Sequence, residues 1–147
     1  MRTSSLLLLA LVACKHDDAA VPSANGEAAR APGGPPPLAE KAFYRVDLAK
    51  PPACTAGSPC QAELVLTALG DYHVNERYPV KLEVDQGDVE GTGAWKRDGE
   101  KTGTLALTLK PARPGVARVS GTFKLSVCTE ANCEIESPKI AFDVTSK

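Results

Sequence analysis

From Lys41 onward, apolar and polar side chains alternate with a period of two in short runs, and no other feature narrows the possible folds as far. Val80, Leu82 and Val84 alternate with Lys81, Glu83 and Asp85, and Leu105, Leu107 and Leu109 with Thr104, Ala106 and Thr108. Val119, Phe123, Leu125 and Val127 share one parity against Arg118, Ser120, Thr122, Lys124 and Ser126, and Ile140, Phe142 and Val144 close the series. Further candidates span 43–48 and 62–69. Successive side chains of a strand point to opposite faces, so each run has one buried and one wet face, as antiparallel sheets do. The clusters Asp85-Gln86-Gly87-Asp88, Asp98-Gly99 and Pro111-Ala112-Arg113-Pro114-Gly115 supply turns between them. Helical periodicity is nearly absent. About seven short strands in roughly 105 residues predict an all-β domain, an immunoglobulin-like antiparallel β-sandwich of about 7–9 strands.

What precedes this domain reads differently. Arg2 is followed by the apolar run Leu6–Val12, far shorter than the roughly 20 residues of a spanning helix. A charged start, a short apolar stretch and small residues before a break describe an export signal. The break, Leu11-Val12-Ala13-Cys14, resembles the lipobox of bacterial lipoproteins. That resemblance implies a signal peptide over 1–13, cleavage after Ala13 and acylation of Cys14, which would anchor the chain in the bilayer through two or three acyl chains. An ordinary signal peptide with an incidental Cys14 is the alternative. Lys15, where this class often carries Asp for inner-membrane retention, points to the outer membrane, facing the periplasm. Residues 14–40 then form a tether; fifteen of the twenty-six residues 15–40 are Ala, Pro or Gly. Such a composition buries too little apolar surface to offset the entropy of ordering it, which predicts a flexible stalk carrying a domain over 41–147.

Charge removes other classes of function. Seventeen Lys and Arg against eighteen Asp and Glu leave a formal charge of −1, without the basic excess of a nucleic-acid or polybasic membrane-surface protein. Two histidines, His16 and His73, argue against a His-rich metal site or a Ser-His-Asp hydrolase. No cofactor is called for.

With Cys14 assigned to lipid, four cysteines remain, and in an oxidising exported compartment an even count favours disulfides. Cys128 and Cys133 lie at the mouth of a predicted hairpin, where directly opposed Cα atoms come within reach of a disulfide. Cys128 continues the parity of Thr122, Lys124 and Ser126, so the expectation is a bond on the wet face, accessible and more easily reduced than a core bond. Cys54 and Cys60 bracket a five-residue loop containing Gly57 and Pro59, and a structural staple is expected there. Four cysteines allow three connectivities, so crossed pairings of Cys54 with Cys128 or Cys133 stay open. A four-cysteine zinc site is disfavoured by spacings of five and four residues, and thioredoxin-type chemistry by the lack of any Cys-x-x-Cys.

The segment Ala68-Leu-Gly-Asp-Tyr-His-Val-Asn-Glu-Arg-Tyr-Pro-Val-Lys-Leu-Glu-Val84 resembles a strand segment of the amino-terminal periplasmic domain of the thiol:disulfide interchange protein DsbD. Gly121-Thr-Phe-Lys-Leu-Ser-Val-Cys-Thr-Glu-Ala-Asn-Cys133, with Ile140-Ala-Phe-Asp-Val144, is similar to that domain's cysteine hairpin and closing strand. The likeness covers roughly residues 61–145 and implies an immunoglobulin-like sandwich. It also implies that Cys128 and Cys133 are a redox pair, a thiol–disulfide exchange module passing electrons to or from a thioredoxin-fold or other periplasmic thiol protein. The family's aromatic cap loop would fall near residues 91–98, where Trp95 alone could shield the cysteines. Four residues intervene between the cysteines where the family has five, and Glu134-Ile135 replaces its Pro-Pro. Glu130 and Glu134 flank the pair, and their charge disfavours a thiolate. The competing reading is a non-catalytic binding or structural lipoprotein module in which both Cys54–Cys60 and Cys128–Cys133 are permanent staples. Tyr72 and Tyr78 are expected to pack at the sandwich edge, and His73 to lie in a strand.

Overall fold

The computed structural model describes residues 35–87 and 89–147. Cys14, the export signal and most of the expected tether lie outside the described residues. The described chain is all-β, with no helix of any kind. Its strands are β1 (Ala39–Lys41), β2 (Tyr44–Lys50), β3 (Ala53–Cys54), β4 (Cys60–Ala68), β5 (His73–Val74) and β6 (Lys81–Val84). They continue as β7 (Val89–Arg97), β8 (Thr102–Pro111), β9 (Gly115–Cys128), β10 (Cys133–Glu136) and β11 (Lys139–Ser146).

The strands form two sheets, sandwich-like, with mainly antiparallel pairing. One runs β1-β2-β4-β8-β7 and is antiparallel throughout. The other is built on the long β9: β10 and β11 pair with one side of it, β5 and β6 with the other, and β3 joins β11 in parallel. There are more strands than the alternation predicts, because two lines of the second sheet are broken. Ser137 and Pro138 part β10 from β11, yet Phe123 N–H still donates to Pro138 O at 2.9 Å and the register against β9 is kept. Residues 75–80 part β5 from β6 where only Leu125 and Ser126 separate their partners on β9, so the chain loops outward there.

The alternating runs supply the core. Tyr44 and Val46, Leu64 and Leu66, and Leu105, Leu107 and Leu109 from the first sheet meet Val74, Val119, Phe123, Leu125, Val127, Phe142 and Val144 from the second. Complete burial of one such Leu, Val or Phe side chain contributes about 1.5–3 kcal/mol. Leu38 and Ala39, ahead of Lys41, also pack on this core.

Three devices hold the sheets together around the core. Cys54 on β3 belongs to one sheet and Cys60 on β4 to the other, so their disulfide joins the two, with Cα atoms 5.3 Å apart. Lys41 Nζ of β1 pairs with Glu136 Oε1 of β10 at 2.7 Å across one open side. On the opposite side β6 packs against β7, where a Cβ on Gly91 would lie only 3.2 Å from Val84 Cγ2. The glycines of β7 therefore permit the close approach of that strand.

Candidate functional site

The hairpin of β9 and β10 places Cys128 directly opposite Cys133. Thr129 N–H donates to Asn132 O at 2.8 Å, and the Thr129 hydroxyl accepts from the N–H groups of Ala131 and Asn132, which closes the loop tightly. Hydrogen-bonded and non-hydrogen-bonded pairs alternate along an antiparallel ladder, so the 128/133 pair is of the closer, non-hydrogen-bonded kind. Its Cα atoms are 4.0 Å apart and the two sulfurs are bonded. Cys54 and Cys60 form the other bond, so each of the four described cysteines pairs with its near neighbour and the crossed connectivities do not occur.

The wet-face expectation fails at Cys128. Phe123, Leu125 and Val127 do face the core, but Ser126 and Cys128 on the opposite parity are buried as well, Cys128 at 6 % exposure. The cause is tertiary. β9 is flanked here on both sides, since Cys128 pairs with His73 of β5 as well as with Cys133. Asn75, where the outward loop begins, lies across this face; its Nδ2 donates to Ser126 Oγ at 3.1 Å and is 3.9 Å from Cys133 Sγ. Cys133 itself is exposed on β10, beside Ile135, which is 64 % exposed.

This environment overturns the expected redox-active centre. Exchange through the exposed Cys133 sulfur would release a thiolate at Cys128, where burial disfavours the charged form. No helix exists among the described residues. The nearby cation Lys41 is engaged by Glu136, and that hydrogen bond raises the Lys41 pKa above its ordinary value. Lys101 donates to the backbone oxygen of Gly70 at 2.7 Å and also to that of Tyr72. The neighbourhood is otherwise aromatic and acidic. Phe43 stacks 5.3 Å from Tyr72 and meets Tyr44 edge-on at 5.4 Å. Burial, and after it the charge of Glu136, pushes the Tyr44 hydroxyl pKa upward. The bond joins directly opposed strand positions and one of its sulfurs is buried, which is the geometry of a hairpin staple.

The other sequence-derived residues fall as follows. Cys54 and Cys60 are buried within the core cluster, at the opposite end of β4 from the segment that contacts Phe43 and Lys101. Trp95 does not sit on a loop: residues 91–97 belong to strand β7, and the indole lies over Gly103 of β8, where a Cβ would stand 2.3 Å from its ring. The ring fills the space left by that glycine. Tyr72 and Tyr78 are partly buried against the core. His73 is in a strand. Sequence reasoning missed Asn75 and Ser126, the polar pair that buries the Cys128 face; their only signal is a polar residue at each position.

No protein-family model, no curated protein and no solved structure matches the chain. None of these comparisons identifies the domain as DsbD-like.

Proposed function

We propose that this chain is a non-catalytic binding or structural module, an immunoglobulin-type sandwich related in fold to the amino-terminal domain of DsbD, joined to a membrane anchor by the segment ahead of it. The observation that carries this reading is the placement of the disulfides: Cys54–Cys60 joins the two sheets, and Cys128–Cys133 locks a hairpin with Cys128 buried. Both act on the framework of the domain. The lipobox-like Leu11-Val12-Ala13-Cys14 and the Ala-, Pro- and Gly-rich residues 15–40 support an acylated anchor at Cys14 and a stalk, with the outer membrane facing the periplasm as the destination.

Thiol trapping with mass mapping of the full chain across a graded dithiol/disulfide buffer tests the central point. Structural bonds in exported proteins resist reduction down to potentials below about −300 mV. Both bonds are expected to stay closed until denaturant is added; opening of Cys128–Cys133 alone at a milder potential refutes the reading. Labelled palmitate is expected on the full chain and lost in Cys14→Ala; labelling that survives this substitution removes the anchor.

A further inference from the structure

We infer that the free edge of β7 is a self-association surface, and that its occupant is β7 of a second copy of this chain, paired antiparallel about Gly93. β7 is terminal in its sheet and nine residues long, and its ladder to β8 runs from Val89↔Pro111 to Arg97↔Gly103 without a bulge. Exposed edges are normally blunted by shortness, proline, bulges, charged side chains on the edge or pointing inward, or a covering segment. On β7 the charges stand only towards the ends, at Glu90, Lys96 and Arg97. The other edges are blunted: β1 has three residues and β3 two, β6 has four, and β10–β11 is interrupted at Ser137-Pro138. β7 has none of these guards in its middle, where Gly91, Thr92, Gly93 and Ala94 carry no charge and little side chain.

The phase of the ladder fixes which backbone groups are free. Asp98 N–H donates to Thr102 O at 3.0 Å, so that pair is hydrogen-bonded and the alternation runs back from it. Glu90, Thr92, Ala94 and Lys96 consequently direct their backbone groups to β8, whereas Val89, Gly91, Gly93, Trp95 and Arg97 direct theirs outward. Among the described residues nothing accepts or donates there.

The sequence of the strand selects the occupant. Glu90 and Lys96 stand at equal distances on either side of Gly93, both on the outward face and both exposed. An antiparallel copy in this register sets Glu90 opposite Lys96 of the partner, twice by symmetry. Those are non-hydrogen-bonded positions, where opposed side chains come closest. Gly93 meets Gly93, and Trp95 faces the partner's Gly91, where no side chain obstructs it. All the outward backbone groups then find partners, giving about ten hydrogen bonds and a continuous sheet through both copies. Lys96 also lies 3.3 Å from Asp98, but its side chain is 81 % exposed and that surface pair does not immobilise it.

Sedimentation velocity of the full chain over a concentration series, with Glu90→Lys, Lys96→Glu and the double exchange, tests the register. Both residues are exposed, so circular dichroism is expected to be unchanged in all three variants. The native chain is expected to dimerise, each single reversal to weaken dimerisation about tenfold by setting like charges opposite one another twice, and the exchange to restore it to within about threefold. A native chain that stays monomeric, a dimer indifferent to the single reversals, or an exchange that fails to restore it each overturns the inference.

Discussion

If both disulfides are staples, removing them should destabilise the fold by unequal amounts that the structure sets. The bonded cysteines are 6 residues apart in one pair and 5 in the other, so loop closure alone assigns each bond about 2 kcal/mol of unfolded-chain entropy. Burial then separates them. Cys54 and Cys60 are 7 % and 9 % exposed within the core, so Cys54→Ala with Cys60→Ala deletes two packed sulfurs and leaves a void where the sheets are joined. That adds about 1–2 kcal/mol. Cys128→Ala with Cys133→Ala deletes one buried and one exposed sulfur outside the core cluster, and adds less. The expected losses are about 3–4 and 2–3 kcal/mol, or roughly 15–20 °C and 10–15 °C in Tm for a domain of this size. Calorimetry measures the midpoints, and urea unfolding should show a larger m-value in each variant because an uncross-linked unfolded chain exposes more surface. A loss below about 0.5 kcal/mol for either pair, or the reverse order, would refute the reasoning.

Gly121→Ala should lift β6 from β9, because the new Cβ falls 2.5 Å from the Glu83 carbonyl oxygen; a loss of about 1–3 kcal/mol in thermal unfolding is expected, with faster amide exchange at Leu82 and Val84, and an unchanged midpoint would disprove that close approach. Hydrogen bonds from Lys124 and then Lys81 hold the Glu83 carboxyl down at about 2, below its ordinary 4.5. The stabilisation this lends is complete above about pH 4.5 and is lost as the pH falls towards 2. The Tm of the native chain should therefore drop more steeply with acid than that of Glu83→Gln, the difference shrinking in high salt; equal slopes contradict the assignment. Asn75→Ala removes the side-chain partner of the fully buried Ser126 hydroxyl, and a loss of about 1–3 kcal/mol is expected by calorimetry, largely recovered by adding Ser126→Ala; no recovery would place the loss elsewhere.

The long strands were legible because burial on one face leaves a period-two record: β8, β9 and β11 follow the alternating leucines, valines and phenylalanines closely. β7 left no such record. Its inner positions are Gly91, Gly93 and Trp95, chosen by the proximity of Val84 and by the space over Gly103, so the segment reads as a loop. The hairpin at Cys128 and Cys133 was also legible, from the strand ending at one cysteine and restarting at the other.

The sequence alone determined that the domain is all-β, where its core strands lie and which loops carry cysteines, since these follow from local alternation and turn chemistry. Only the tertiary structure decided what the cysteines can do. Parity places Cys128 opposite the core, but whether that face is wet depends on what crosses it, and here β5 and Asn75, more than fifty residues away in the chain, fold over it. Likewise only the pairing of β3 with β11 makes the short loop between Cys54 and Cys60 a link between two sheets. Burial is a property of neighbours, and a period of two records which side a residue takes without recording what else arrives there.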